Sequence, residues 1–169
     1  MKLFDLLCYS SLLVLGKKPT TWIIDGNNLL AQKGTSKDRE VLAEKLKSIH
    51  SIGAESVVLV FDGRPGDSFL EHHQGSFQQV QLAEGVSSDH YILEEIAAIV
   101  ATSKVRRVQV VTADRELRRL ALESRPIVKG VINPITFWKK YLPRMAGWKK
   151  AEILEPQTEL STSNGSIKK

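Results

Sequence analysis

Four aspartates, Asp25, Asp62, Asp89 and Asp114, stand where carboxylates could do chemistry. Three of them close short apolar runs: Thr20-Thr-Trp-Ile-Ile-Asp25, Val57-Val-Leu-Val-Phe-Asp62 and Val108-Gln-Val-Val-Thr-Ala-Asp114. Taken singly, each has an ordinary explanation. Asp25 and Asp62 precede glycines and suit turns, and Asp114 suits a helix N-cap. Asp89 falls in a first helical turn, where negative charge is favourable. Taken together, four carboxylates at one place repel unless a cation holds them. Hard divalent ions such as Mg²⁺ and Mn²⁺ take oxygen ligands, few from protein and the remainder from water and phosphate. Such an ion polarises a phosphodiester and lowers the pKa of bound water. The chemistry to which this set points is metal-dependent phosphodiester hydrolysis.

The elements that would gather these acids can be read from periodicity. Each apolar run reads as a buried strand, and helically patterned segments separate the runs, so the strands belong in one parallel sheet. One-handed crossovers bring the strand C-termini to a single edge, where open α/β sheets bind ligands. The expected order begins with a loop over 29–36. A helix over 37–52 follows, capped by Ser36 or Asp38, with Val41, Leu42, Leu46 and Ile49 inward and Gly53 as its stop. A strand over 56–62 comes next, then turn chemistry at Gly63-Arg-Pro-Gly66 and a polar connection over 67–75 holding His72 and His73. Alternation over 77–82 marks a short additional strand. A helix over 88–101 places Asp89 on the face of Ile92, Ile96 and Ile99, which must pack on the sheet. A strand over 107–112, a helix over 115–123, a strand over 126–132 and a helix from Pro134 to Tyr141 complete the order.

A chain of 169 residues with 42% hydrophobic and 25% charged residues suits one globular domain, expected over 20–150. The net charge of +5 hides an asymmetry, for thirteen Lys and Arg face three acids between Lys104 and Lys150. That region either attracts a polyanion or is a solvated face. Arg64, Arg115, Arg118, Lys139 and Lys140 are the candidate phosphate contacts. Trp138-Lys-Lys-Tyr141 and Trp148-Lys-Lys150 interleave rings with cations, as single-stranded nucleic acid requires. The competing expectation is that Phe137, Trp138 and Tyr141 pack the last helix on the sheet. Cys8 is the single cysteine and forms no internal disulfide. His72 and His73 lack partners at metal-ligand spacing, and His50 ends a helix. Residues 1–19 read as a helix or leader lying against the domain of a cytoplasmic protein, with targeting as the minority alternative. Asp5 breaks the apolar run, Lys17 and Lys18 stand where a cleavage site would fall, and the run is short for a membrane span. Residues 151–169 read as a disordered tail.

The blocks Ile-Ile-Asp25-Gly-Asn-Asn28, Val-Phe-Asp62-Gly, Gly85-Val-Ser-Ser-Asp89-His-Tyr-Ile and Val-Val-Thr-Ala-Asp114-Arg-Glu-Leu resemble, in that order, the NYN-domain ribonucleases. The resemblance is to the YacP-like branch of the PIN-like nuclease superfamily and covers about 21–132. It implies a three-layer α/β/α sandwich with a mainly parallel sheet, a Mg²⁺ or Mn²⁺ site and cleavage of single-stranded RNA. It carries the acidic positions onto Asp25, Asp62, Asp89 and Asp114, the motif asparagine onto Asn28, and a second acid of some relatives onto Glu116. The chain departs from the branch at Val86, where a glutamate is common, and at His90, where an acid follows. Glu84 is the available substitute.

Two classes of function follow. In an endoribonuclease, Asp25, Asp89 and Asp114 hold the ion, Asp62 completes the shell directly or through water, and Asn28 orients it. In an RNA-binding module, the fold is kept without catalysis, as Val86 and His90 allow. A DNA 5′-nuclease is disfavoured because the chain has no room for a helical arch, and Asn27 disfavours Asp-x-Asp phosphatase chemistry. Cleavage preference, oligomeric state and presentation of the RNA by a ribosome are left open by the sequence.

Overall fold

In the computed structural model the described residues are 19–47, 55–102 and 106–145. The expected leader, the tail, Ile49, His50, Gly53, Lys104 and the Trp148-Lys-Lys150 cluster lie outside them. The elements are β1 (Thr20–Asp25), α1 (Gly26–Leu30), α2 (Arg39–Lys47), β2 (Glu55–Gly63), β3 (Leu70–Gln74), β4 (Phe77–Glu84), α3 (Ser88–Thr102), β5 (Arg107–Val111), α4 (Arg115–Glu123) and β6 (Val128–Ile132). After β6 come α5 (Pro134–Thr136), a π-helical turn (Phe137–Tyr141) and α6 (Leu142–Met145). Among the described residues, no helix is long and apolar enough to cross a membrane.

The six strands form one sheet in the order β3-β4-β2-β1-β5-β6. All neighbours are parallel except β3 against β4. Side chains alternate across a strand, so each central strand feeds two cores. Trp22, Ile24, Val57, Leu59 and Phe61 face one side, with Leu42 and Leu46 of α2 and with Phe137 and Leu142. Ile23, Val58, Val60, Val108 and Val110 face the other, with Ile92, Ile96 and Ile99 of α3 and with Leu117 and Ala121 of α4. The result is a three-layer α/β/α sandwich whose fully buried aliphatic side chains each contribute about 1.5–3 kcal/mol relative to exposure.

Several elements differ from their sequence expectation. Residues 26–30 form a helical turn within what read as strand end and loop, because Asp25 caps it. Val41 is exposed while Leu42, Ala43 and Leu46 are buried. Residues 70–74 form an edge strand where a polar connection was expected. All five of its residues are exposed, so no buried alternation marks it, and pairing with β4 alone makes it a strand. Of the rings near the C-terminal turn, Phe137 is fully buried, and Trp22 packs at a tilt against both Phe137 and Tyr141, with ring centres 5.5 Å apart. Trp138 is half-buried under the Lys45 ammonium. These rings pack the C-terminal segment on the sheet, as the competing expectation had it.

Candidate active site

The C-terminal ends of β1, β2 and β5 and the start of α3 carry the four aspartates, and connection chemistry fixes each one. Asp25 is the N-cap of α1, its Oδ1 accepting from the Asn28 N–H at 3.0 Å. Its Oδ2 accepts from the Asn28 side-chain amide and, at 3.1 Å, from the Thr112 hydroxyl. Asp114 caps α4, accepting from the Leu117 N–H at 2.7 Å. Asp62 ties two elements together. Its Oδ1 accepts from the N–H of Ser88, the first residue of α3, at 2.7 Å, and its Oδ2 accepts from the Asn27 side-chain amide. Asp89 follows in the first turn of α3, on the face of Ile92, Ile96 and Ile99.

The two Asp-Gly steps have a steric cause. A Cβ on Gly26 would lie 2.4 Å from the Phe61 ring and 2.9 Å from the Val60 carbonyl oxygen. On Gly63 it would lie 1.8 Å from the Ala83 carbonyl oxygen. The register between β2 and β4 shifts between Phe61 and Gly63, so that two residues of β4, Leu82 and Ala83, stand opposite Asp62 in a bulge. Gly63 is therefore a strand residue at a close approach, and the turn proper begins after it.

The acids act on one another through space. Burial pushes the Asp89 carboxyl above its usual range, and the charges of Asp25, Asp114 and Asp62 push it further. Burial likewise raises Asp25, against the bonds from Asn28 and Thr112, with Asp62 adding to the rise. Among the described residues none donates a hydrogen bond to the Asp89 carboxylate. It is a half-buried oxygen donor group facing three like charges and no compensating donor. Among the described residues, no three acidic or imidazole groups converge as a ready-made metal cage. This donor set fits a hydrated hard ion that meets one or two carboxylates and keeps several waters.

Sequence comparison completes this picture. The pattern of the YacP-like NYN domain matches residues 22–127, more than half of the chain. The chain belongs to the YacP-like NYN family. NYN domains are typically RNA-related nucleases that use divalent metals. The fold is also similar to the crystal structure of a point mutant of Rae1 (YacP) from Bacillus subtilis. That similarity has a TM-score of 0.52 and 17% identity, and covers 76% of this chain and 75% of that one. At this identity the likeness is one of fold. No curated protein matches the sequence.

Other residues singled out in this YacP-like NYN chain are placed differently. Glu116 is exposed and paired with Arg119 at 2.6 Å, and is not among the charges that act on Asp89. Glu84, the available substitute for the family's glutamate, is exposed, and its carboxylate accepts from the Gly66 N–H at 2.9 Å in the turn after β2. His90 points to solvent, 3.2 Å from Glu94, and Val86 is exposed. Arg115 and Arg118 are exposed at the start of α4, beside Asp114. Arg64 is exposed in the β2–β3 turn, and its charge acts on Asp38 and Arg39. Lys139 and Lys140 are exposed on the π-helical turn.

Sequence reasoning missed Asn27, Thr112 and Arg39. Thr112 had a local signal, since it stands two residues before Asp114 and also accepts that residue's N–H at 3.0 Å. Asn27 was read only as an obstacle to phosphatase chemistry. Arg39 had no signal, because its partners are brought to it by the fold.

Proposed function

We propose that this chain is an endoribonuclease that hydrolyses phosphodiester bonds of single-stranded RNA with Mg²⁺ or Mn²⁺ at the acid edge. The observation that carries the reading is Asp89: half-buried, without a donor among the described residues, and repelled by Asp25, Asp114 and Asp62. Asp89 and the free oxygen of Asp114 are the residues to hold the ion, since Asp25 and Asp62 already accept hydrogen bonds on both oxygens. When bound, the ion lowers the pKa of a water and neutralises charge on the scissile phosphate. Asp25 and Asp62 retain lone pairs for water, and their fixed orientations aim those lone pairs before substrate arrives. Asn28 and Thr112 hold Asp25 in place. Arg115 and Arg118 lie in the first turn of the helix that Asp114 caps and suit the flanking phosphates, with Arg64, Lys139 and Lys140 as further candidate contacts. Glu116, engaged by Arg119, has no part in the reading.

The test is cleavage of a labelled single-stranded RNA with Mn²⁺, comparing the parent with Asp89→Asn and Asp114→Asn. The expected result is metal-dependent cleavage that EDTA stops and both variants lose by about 100-fold or more, as for removal of a group stabilising the transition state. Equal activity in all three proteins would overturn the assignment. A parent that binds RNA but cleaves none with any divalent ion would instead establish the non-catalytic binding module, which Val86 and the outward His90 motivate.

A further inference from the structure

Asp25 and Arg39 are the two buried charged side chains among the described residues. Arg39 enters from the first turn of α2 and lies over the Phe61 ring, 4.8 Å from its centre. One arm of the guanidinium donates to the Gln81 side-chain oxygen at 2.9 Å and to Asp67 at 3.4 Å. The other donates to the Asp62 carbonyl oxygen at 2.9 Å and to the Asn27 side-chain oxygen at 3.4 Å. A guanidinium has donors only. It therefore accepts only the oxygen end of the Asn27 amide, which leaves the NH₂ end facing Asp62 Oδ2. Turning the amide over would set donor against donor at Arg39 and acceptor against acceptor at Asp62. Asp62 in turn holds the Ser88 N–H, and so the start of the helix that carries Asp89.

We propose that Arg39 is a positioning residue for the acid edge: through Asn27 it sets the direction in which the Asp62 carboxylate faces, and through Asp62 the seat of α3. The proposal rests on the ribonuclease reading for its kinetic consequence, but its structural content does not. Lysine would not replace the arginine, because a single ammonium lacks the planar fork that reaches both Asn27 and Gln81.

Two measurements test it. In single-stranded RNA cleavage with Mn²⁺, Arg39→Gln and Asn27→Ala should each lower kcat by about 10–100-fold, the usual effect of losing a residue that orients a ligand. KM should stay within about twofold, since no substrate contact is removed. The double variant should be no worse than Asn27→Ala alone, because both act through one amide. Unchanged kcat, or losses that multiply in the double variant, would overturn the proposal. Separately, NMR of the metal-free protein should show slow proton exchange at the Asn27 side-chain amide. Arg39→Gln should abolish that protection while leaving Asn28 protected, and an unaltered Asn27 signal would overturn the proposal. If the parent cleaves no RNA, the ribonuclease reading falls and the amide signals alone decide the role of Arg39. If Arg39→Gln does not fold, Arg39→Lys carries the same expectations.

Discussion

Asp89 shows what a single residue costs and supplies. Its carboxyl is raised by burial first and by three neighbouring aspartates after that. A carboxyl with a raised folded-state pKa binds more protons folded than unfolded, so its contribution to stability falls as pH rises through the folded pKa. At neutral pH the charged group therefore works against folding. Asp89→Asn should raise the metal-free Tm at pH 7, and the gain should shrink as pH is lowered through the raised pKa. Mn²⁺ should raise the Tm of the parent by mass action and leave the variant's nearly unmoved. Differential scanning fluorimetry at two pH values, with and without Mn²⁺, reads all three effects. A variant less stable than the parent at pH 7 would show that Asp89 is a structural group. For the same reason Mn²⁺ affinity should weaken on acidification sooner than an ordinary aspartate would require, because protonating Asp89 or Asp25 removes the charge that draws the ion.

At the scale of the element, the site depends on how α3 and the β2–β4 bulge are seated. Ile92, Ile96 and Ile99 anchor α3 to the sheet face opposite α2. Ile96 is 1% exposed, so Ile96→Ala should cost about 2–5 kcal/mol through lost burial and a residual cavity. Gly63→Ala should cost about 1–3 kcal/mol or more, since the added methyl meets the Ala83 backbone instead of a movable side chain. Urea unfolding midpoints read both changes. Gly63→Ala should also disturb cleavage beyond its effect on stability, because Gly63 directly follows Asp62 at the bulge where Leu82 and Ala83 stand opposite that aspartate. A fully active, destabilised variant would show that the bulge is dispensable for the site.

At the scale of the molecule, an acidic edge is set into a chain of net charge +5. On the proposed function the two signs divide the work: the carboxylates would attract an ion, and the exposed cations the polyanion on which it acts. Binding of single-stranded RNA should weaken with salt, each phosphate contact contributing about 0.7 to the slope of log K against log salt. Arg115→Gln with Arg118→Gln should therefore flatten that slope by about 1.4 if each cation meets one phosphate. Fluorescence anisotropy over a salt series measures it, and an unchanged slope would remove these two residues from the binding surface.

The fold was legible where burial alone dictates pattern. The apolar runs ending in Asp25, Asp62 and shortly before Asp114 fixed the central strands, and the spacing of Asp89 from Ile92, Ile96 and Ile99 fixed the face of α3. Both signals arise because a sheet buried on two faces needs apolar residues throughout, and a helix packed on it needs them every third or fourth position. Edge strand β3 escaped detection because exposed residues carry no such requirement. The candidate site divides along the same line. Residue type and motif order supplied the four acids and Asn28. Only the tertiary structure decided that Glu84 bonds the Gly66 N–H, and that Asn27 and Arg39 meet at Asp62. Those pairings join polar groups up to 35 residues apart through the meeting of separate strands and helices, and no local periodicity encodes such a meeting.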